Sequence, residues 1–278
     1  MRRWLLGLGL AAVVLTVAFV ALIALYVEQY LDAPLPIAED TLIEIPAGRG
    51  LSGIARELAA DGILGQPRIW SLYGRYTGQA ARVQAGEYLV PTGETPRGLL
   101  DRLVAGKVYS RSVTLVEGWT FAQALAHLRA QAALRIEAAD LDEDMLAARL
   151  WPDGEELPGG RLEGWLFPDT YLYTRSDSDQ DILARGVERM RQELAAAWAE
   201  RAPDLPLESP YEALILASII EKETALDSER TQVAGVMVRR LRRGMRLQTD
   251  PTVIYGLGDA YDGNIRRADL RRDTPYNT

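Results

Sequence analysis

The residues best placed for acid–base chemistry are the carboxylates that end an unusually apolar stretch, residues 214–224 (LILASIIEKET). Apolar side chains on every face predict a helix that is buried all round and that ends near Glu221 and Glu223. At helical spacing Ser218 shares a face with Glu221, whereas Glu223 is rotated by about 200°. Because loss of water favours the protonated form of a carboxyl group, we predict that Glu221 is the catalytic general acid. The alternative is that the Glu-Lys-Glu triplet is a solvated last turn.

Two further stretches carry polar groups that suit a binding site. Residues 162–171 (LEGWLFPDTY) set two carboxylates, Glu163 and Asp169, among three aromatic side chains, with glycine and proline fixing the backbone. This composition is typical of the wall of a sugar-binding cleft. Residues 244–256 form a loop that leads into a short helix, and its hydrogen-bonding residues are Gln248, Thr249, Asp250 and Thr252. They either bind a saccharide or simply cap and turn the chain.

Composition excludes several other kinds of chemistry. The 278 residues include no cysteine and a single histidine, and the net charge is −8. Without cysteine there is no thiolate metal site, cysteine nucleophile or disulfide. His127 is the one imidazole, so a Ser-His-Asp triad and a multi-histidine metal site are disfavoured. We expect no metal and no cofactor. Lys107 and Lys222 offer little to a pyridoxal-phosphate lyase, and the acidic balance argues against nucleic-acid binding.

An N-terminal apolar run, residues 4–27, predicts a membrane span. As a helix it would be about 36 Å long, enough to cross a hydrocarbon core of roughly 30 Å. It lacks the short apolar core and small-residue cleavage site of a secretory signal, so we predict an uncleaved, single-pass anchor. Arg2 and Arg3 precede the span and acidic residues follow it. The positive-inside rule therefore places the N-terminus in the cytoplasm and the rest of the chain outside the plasma (inner) membrane.

The chain after the anchor divides into a spacer and a small module. We predict an anchor over residues 1–30 and an extended linker over residues 31–40, which contain Pro34 and Pro36. Residues 41–108 predict a strand-helix-helix-strand module, closed by a helix with Thr95 as its N-cap. The module has no constellation of catalytic groups, which favours a binding or positioning role. Its aromatic series, Trp70, Tyr73 and Tyr76, indicates either core packing or sugar stacking.

Residues 109–278 form the expected catalytic domain. A strand near Val113 precedes a capping box at residues 120–123 that opens a helix. Further helices are predicted at residues 138–150, 182–198 and 230–243, besides the helix that ends at Glu221. The last of these carries a basic cluster, which either complements the helix dipole or attracts acidic groups of a substrate or of lipid headgroups. Its members are Arg239, Arg240, Arg242 and Arg243.

Three motifs closely resemble the YceG-like family of endolytic murein transglycosylases. They are residues 163–171 (EGWLFPDTY), 216–224 (LASIIEKET) and 246–255 (RLQTDPTVIY), in the family's order. The resemblance covers the chain from its anchor to its last residue. It implies an α+β protein with one transmembrane helix, a LysM-like βααβ module and a mixed α/β catalytic domain. Because the chain stops within a motif that family members continue, we expect the C-terminal part of that domain to be missing.

The resemblance also implies a reaction and its residues. The family cuts nascent peptidoglycan glycan strands between N-acetylmuramic acid and N-acetylglucosamine, and its catalytic glutamate falls on Glu221. Peptidoglycan synthases are candidate partners. A single carboxyl group would protonate the glycosidic oxygen and then deprotonate the 6-hydroxyl, which gives a 1,6-anhydro end. We expect substrate binding by Glu163, Phe167, Asp169, Ser218, Gln248, Asp250, Thr252, Tyr255 and Asn277.

Two other functions remain open from the sequence. A hydrolytic muramidase would need a second carboxylate, for which Glu163, Asp169 and Asp250 are the candidates. A non-catalytic, membrane-anchored peptidoglycan-binding protein would hold glycan through residues 41–108 without cutting it. The mass of the products would distinguish a hydrolase from a transglycosylase. A zymogram on intact sacculi would distinguish a non-catalytic binding protein from either enzyme.

Overall fold

The computed structural model describes residues 2–137, 140–152 and 154–277. The chain forms two compact units. Unit 1 consists of Met1–Arg111 and Thr174–Ser176, and unit 2 consists of Ser112–Tyr173 and Asp177–Thr278. The expected mixture of α and β structure is confirmed.

Helix α1, Arg2–Asp32, is the apolar helix near the N-terminus. Its segment Leu10–Asp32 is long and apolar enough to cross a membrane, and within the described residues it is the only such helix. Side chains of residues 10–26 are exposed, as Leu15 and Phe19 show. An exposed apolar helix of this length needs either lipid or a partner to cover it. The helix runs to Asp32, past the predicted end of the span at Val27, because no proline interrupts it before Pro34.

Unit 1 is built on a two-stranded antiparallel sheet. Strand β1, Thr41–Ile45, pairs with β2, Gly86–Val90, with Thr41 opposite Val90. Helices α2, Leu51–Ala60, and α3, Pro67–Tyr76, lie between the strands in sequence, followed by a 3-10 turn at Gln79–Ala81. Helix α4, Pro96–Val104, closes the unit. Its Thr95 hydroxyl accepts the Gly98 N–H at 3.0 Å, so the predicted N-cap is present.

The core of unit 1 includes residues that the sequence assigned to a linker. Leu31 and Leu35 are both buried in it, and the N–H of Leu35 donates to the carbonyl of Glu94 at 2.7 Å. Burial of these two leucines removes more apolar surface from water than an extended spacer would, which is why residues 31–40 fold onto the module. Trp70 is fully buried, and its indole N–H donates to Pro96 O at 2.7 Å. Of core packing and sugar stacking, the two roles that the sequence left open for Trp70, core packing is therefore the correct one.

Unit 2 begins with a small sheet and three helices. Strand β3, Arg111–Thr114, is hydrogen-bonded to β4, Thr170–Tyr173. The predicted capping box at Thr120 and Gln123 opens α5, Phe121–Arg129. Helix α6, Glu143–Leu150, is shorter than predicted because Asp142 caps it, and residues 138 and 139 lie outside the described part of the chain. A 3-10 turn at Pro158–Gly160 precedes β4, and α7 spans Asp179–Ala199.

The remaining helices of unit 2 carry the Glu-Lys-Glu motif. They are α8, Pro210–Glu223, α9, Asp227–Arg242, and α10, Asp250–Leu257, followed by 3-10 turns at Gly258–Ala260 and Asp269–Arg271. The prediction that α8 is buried all round is wrong. Only Leu216 and Ile219 of this helix are buried, and Ile215 is 43% exposed. Helices α7, α9 and α10 pack against α8 but leave part of its apolar surface uncovered among the described residues.

Candidate active site

Glu221 lies in the last turn of α8, where it makes an ion pair. Its Oε2 is 3.0 Å from Nη2 of Arg230, and its side chain is 29% exposed. Nη1 of Arg230 also lies 3.2 Å from Oδ1 of Asp227. The expected dry environment is therefore absent, because a cation and solvent both reach the carboxylate. Glu223, by contrast, is exposed, in agreement with its rotation away from Glu221.

Arg230 was not singled out by the sequence analysis. It reaches Glu221 because only Thr224, Ala225 and Leu226 separate α8 from α9. The Thr224 hydroxyl accepts the Leu226 N–H at 3.1 Å and donates to Glu229 at 2.8 Å, which fixes this turn. The short connection between the two predicted helices could have indicated the ion pair of Glu221 with Arg230, because it brings the start of α9 close to the end of α8. Nε of Arg230 is buried without a hydrogen-bond partner among the described residues, so the guanidinium retains an unused donor.

Glu163 is the carboxyl group in the less hydrated setting. Its Oε2 accepts the backbone N–H of Phe121 at 2.9 Å, which ties residues 162–171 to the start of α5. Burial raises the pKa of Glu163, and the nearby charge of Glu143 acts in the same direction, while the Phe121 N–H, Arg161 and Lys222 oppose it. A raised pKa lets a carboxyl group keep its proton to a higher pH than an exposed glutamate does.

Tyr211 and Tyr255 lie close enough to this carboxyl group to interact with it electrostatically. With their ring partners Trp165 and Tyr276, they and Glu163 form the Glu163 cluster. The rings of Trp165 and Tyr211 are stacked with 5.9 Å between their centroids. Those of Tyr255 and Tyr276 meet edge to face with 5.2 Å between their centroids. Burial, aided by the charge of Glu163, raises the pKa of Tyr255 to about 12. Burial also raises the pKa of Tyr211, and the charges of Tyr276 and Glu163 add smaller effects in the same direction. Flat apolar faces beside hydroxyl and carboxyl groups suit a sugar ring.

Phe167 and Asp169 both lie near Arg189 of α7. The guanidinium carbon of Arg189 lies 5.2 Å from the centre of the Phe167 ring, and the Phe167 N–H donates to Gly186 O at 3.1 Å. Asp169 accepts the N–H of Thr170 at 2.7 Å and lies 3.9 Å from Arg189. These contacts hold the chain between the Glu163 cluster and β4 in place.

The polar residues before and within α10 have mixed settings. Gln248 adopts φ of 53°, the only positive value for a non-glycine residue in the described part of the chain. Such backbone strain is more common at functional sites than elsewhere. Thr249 is only 3% exposed, and its hydroxyl has no partner among the described residues, whereas Thr252 donates to Thr249 O at 2.9 Å. Asp250 is the exposed first residue of α10.

The other two predicted binding residues make local hydrogen bonds. Ser218 is exposed one turn before Glu221, and its hydroxyl donates to Ile215 O at 2.7 Å. The side-chain amide of Asn277 donates to Leu270 O and Arg272 O at 2.7 and 2.9 Å. Asn277 therefore stabilises the loop after the last 3-10 turn. Within residues 2–137, 140–152 and 154–277, no group of three His, Cys, Asp or Glu side chains is arranged to hold a metal ion.

Comparisons with known proteins agree with one another. The model of the YceG-like family matches residues 43–278. An endolytic murein transglycosylase of Bacillus subtilis is 29% identical over 249 residues, which cover 85% of this chain and 68% of that protein. Another, from Streptococcus pneumoniae, is also 29% identical, and the match covers 90% of this chain but half of that protein. A crystal structure of a yceG-like protein from Listeria monocytogenes superposes with a TM-score of 0.50 at 28% identity, over 87% of this chain and 83% of that chain.

Proposed function

Because this chain belongs to the YceG-like family, we propose that it is a membrane-anchored enzyme that cleaves peptidoglycan glycan strands internally and without water. The bond cut would be that between N-acetylmuramic acid and N-acetylglucosamine, and the product would be a 1,6-anhydro-muramyl end. The observation that carries the proposal is the carboxylate of Glu221, at the solvent-accessible end of α8 and within the residues that the family model matches.

Glu221 would act twice in this reaction. In its protonated form it gives a proton to the glycosidic oxygen as the C1–O bond breaks and C1 becomes oxocarbenium-like. The carboxylate then takes the proton of the 6-hydroxyl of the same sugar, whose oxygen bonds to C1. No water molecule is consumed. Arg230, 3.0 Å away, pairs with the ionised form, which is the form that accepts a proton in the second step.

The Glu163 cluster would hold the sugar. Stacked rings offer apolar faces, and Glu163 offers an acceptor or, when protonated, a donor for a sugar hydroxyl. Gln248, Asp250, Thr252 and Tyr255 would supply further contacts from the segment around α10, and Ser218 would contact the substrate beside Glu221. Phe167, Asp169 and Asn277 would support this surface through the contacts described above.

A hydrolytic muramidase is the second candidate, and the raised pKa of Glu163 favours it. In that case Glu163 would be the second carboxyl group that hydrolysis requires, either about 5–5.5 Å or about 6.5–9.5 Å from the first according to stereochemistry. Mass spectrometry of the products separates the two reactions. Anhydro ends are one water lighter than the reducing ends of a hydrolase.

The N-terminal helix would anchor the enzyme in the plasma membrane with its N-terminus in the cytoplasm. Residues 41–108 would be the LysM-like, glycan-binding module, and residues 109–278 the catalytic domain, with peptidoglycan synthases as candidate partners. Retention of the helix is supported by its packing, because Val27, Tyr30 and Leu31 contribute to the core of unit 1. Cleavage of α1 after Leu31 would remove these side chains and expose that core to water.

Replacement of Glu221 by Gln tests the assignment, with Glu223→Gln as the matched control. Gln cannot deliver or take the proton, so we expect E221Q to lose about 10²–10⁴-fold in cleavage of purified sacculi. Glu223 lies on another face of the same turn and is exposed, so E223Q should cleave at the parent rate. Circular dichroism would verify that both variants fold. Normal turnover by E221Q, or equal loss in both variants, would refute the role of Glu221.

A further inference from the structure

A stretch of unit 1 has a charge pattern opposite to that of the whole chain. Residues 62–86 contain Arg68, Arg75 and Arg82 and no aspartate or glutamate, whereas the chain as a whole has a net charge of −8. The stretch includes α3, and all three arginines are exposed. A basic surface on an acidic protein is a candidate contact for an anionic partner.

The position of α3 along α1 indicates how close this surface lies to a bilayer. The N–H of Gln66, just before α3, donates to the hydroxyl of Tyr30 at 3.1 Å. Farther along α3, the hydroxyl of Tyr73 accepts from Arg97 at 2.6 Å, and the same guanidinium donates to Glu28 at 2.6 Å. Glu28 and Tyr30 follow the end of the apolar span by only one to three residues, or about 5 Å of helix.

That distance lies within the headgroup layer, which adds roughly 5–8 Å to each side of the hydrocarbon core. Arg97 offsets one of the two negative charges at the end of α1, because its guanidinium pairs with Glu28 at 2.6 Å and with Asp32 at 2.8 Å. The three exposed arginines of residues 62–86 outnumber the one negative charge that remains there.

The outer face of α3 has the composition of an interfacial helix. Arg68, Leu72 and Tyr76 follow one another at four-residue intervals, so they lie along one stripe. Leu72 is 62% exposed and Tyr76 is 92% exposed. An arginine, a leucine and a tyrosine on one face suit the boundary between headgroups and acyl chains, where the aromatic ring and the guanidinium stem find apolar surface and the polar ends stay hydrated.

We propose that α3 lies on the anionic headgroups of the membrane that holds α1, with Leu72 and Tyr76 inserted between the lipids. The inference rests on the proposed membrane anchoring of the chain, and it is independent of the proposed cleavage reaction. The contact would fix unit 1 against the bilayer surface, because Arg97 and Leu31 already hold the end of α1 against the rest of unit 1.

The absence of cysteine makes the proposal directly testable in the whole chain. Leu72→Cys would be labelled with a small fluorophore and the protein reconstituted into phosphatidylglycerol vesicles that carry a nitroxide quencher high on the acyl chain. Leu42→Cys, an exposed leucine on β1 of the same unit, is the matched control. We expect the label at residue 72 to lose most of its fluorescence and the label at residue 42 to keep it. Phosphatidylcholine vesicles should weaken the quenching, and so should the triple change R68Q/R75Q/R82Q, because each arginine contributes up to roughly fivefold to the equilibrium constant of the contact.

Several outcomes would overturn the contact. A label at residue 72 as unquenched as that at residue 42 means that α3 faces water, and equal quenching at both means that the contact is not made by α3. Quenching at residue 72 that grows with protein density in the vesicles means that a second copy covers the face. Val14→Cys, within the span, reports anchoring separately. If that label is not quenched, the anchor itself has failed, while sacculus cleavage by the same samples reports the proposed enzymatic function.

Discussion

Unit 1 and helices α8–α10 of unit 2 differ in how completely they bury their apolar residues. Among the described residues, the core of unit 1 holds sixteen buried residues, whereas the cluster beneath α8 and α9 has three, Leu216, Ile219 and Met237. A dense core fixes the shape of a module, while helices with uncovered apolar faces keep surface for binding. Unit 1 is thus closely packed, and the helices that carry the Glu-Lys-Glu motif keep apolar surface that a ligand could cover.

Two carboxyl groups show the same difference in their electrostatics. Glu87 of unit 1 is 8% exposed, and Arg111 at 2.5 Å, assisted by Arg175, holds the pKa of Glu87 below its usual range. Burial instead raises the pKa of Glu163 in unit 2, where no cation lies within ion-pair distance among the described residues. A buried carboxylate with its own cation is a structural element. A partly desolvated one without such a partner is a candidate for chemistry.

The largest effect that would test this comparison is expected at Trp70. Its replacement by Ala removes a fully buried indole and the hydrogen bond to Pro96, so unit 1 should lose about 3–5 kcal/mol of stability. Hydrogen exchange measured by mass spectrometry would report the two units separately. Leu72→Ala, on the exposed side of the same helix, is the control and should change protection little in detergent. A mild effect of W70A would show that the core of unit 1 tolerates a cavity.

A smaller effect is expected at Glu87. The change Glu87→Gln leaves Arg111 without its charged partner, so unit 1 should lose about 1–3 kcal/mol at pH 7. Because the folded pKa of Glu87 is lowered, its contribution is present above the unfolded value of 4.5 and is lost as pH falls through the folded value. The stability difference between parent and E87Q should therefore shrink below about pH 4.5. A difference that stays constant down to pH 3 would contradict the ion-pair explanation.

Much of the fold was predictable from local patterns, and the site was predictable only in part. Caps at Thr95 and Thr120 and the helical spacing before Glu221 are written in neighbouring residues, and the structure has them where they were expected. The exposure of α8 was not predictable, because an apolar sequence reports what a helix can bury and not what packs against it. The ion pair of Arg230 with Glu221 depends in the same way on how two helices return beside each other.

The smallest effect concerns Glu163 and has the opposite pH dependence to that of Glu87. A raised folded pKa means that the folded state binds the proton more tightly, so unit 2 should lose stability as pH rises from 4.5 through the folded value. Gln resembles the neutral form and can still accept the Phe121 N–H, so E163Q should be as stable as the parent near pH 4 and more stable near pH 7. Hydrogen exchange of residues 112–130 across this range would measure the divergence. Parallel pH profiles for the parent and E163Q would mean that water already compensates the charge of Glu163, and the contrast between the two carboxyl groups would then be one of packing alone.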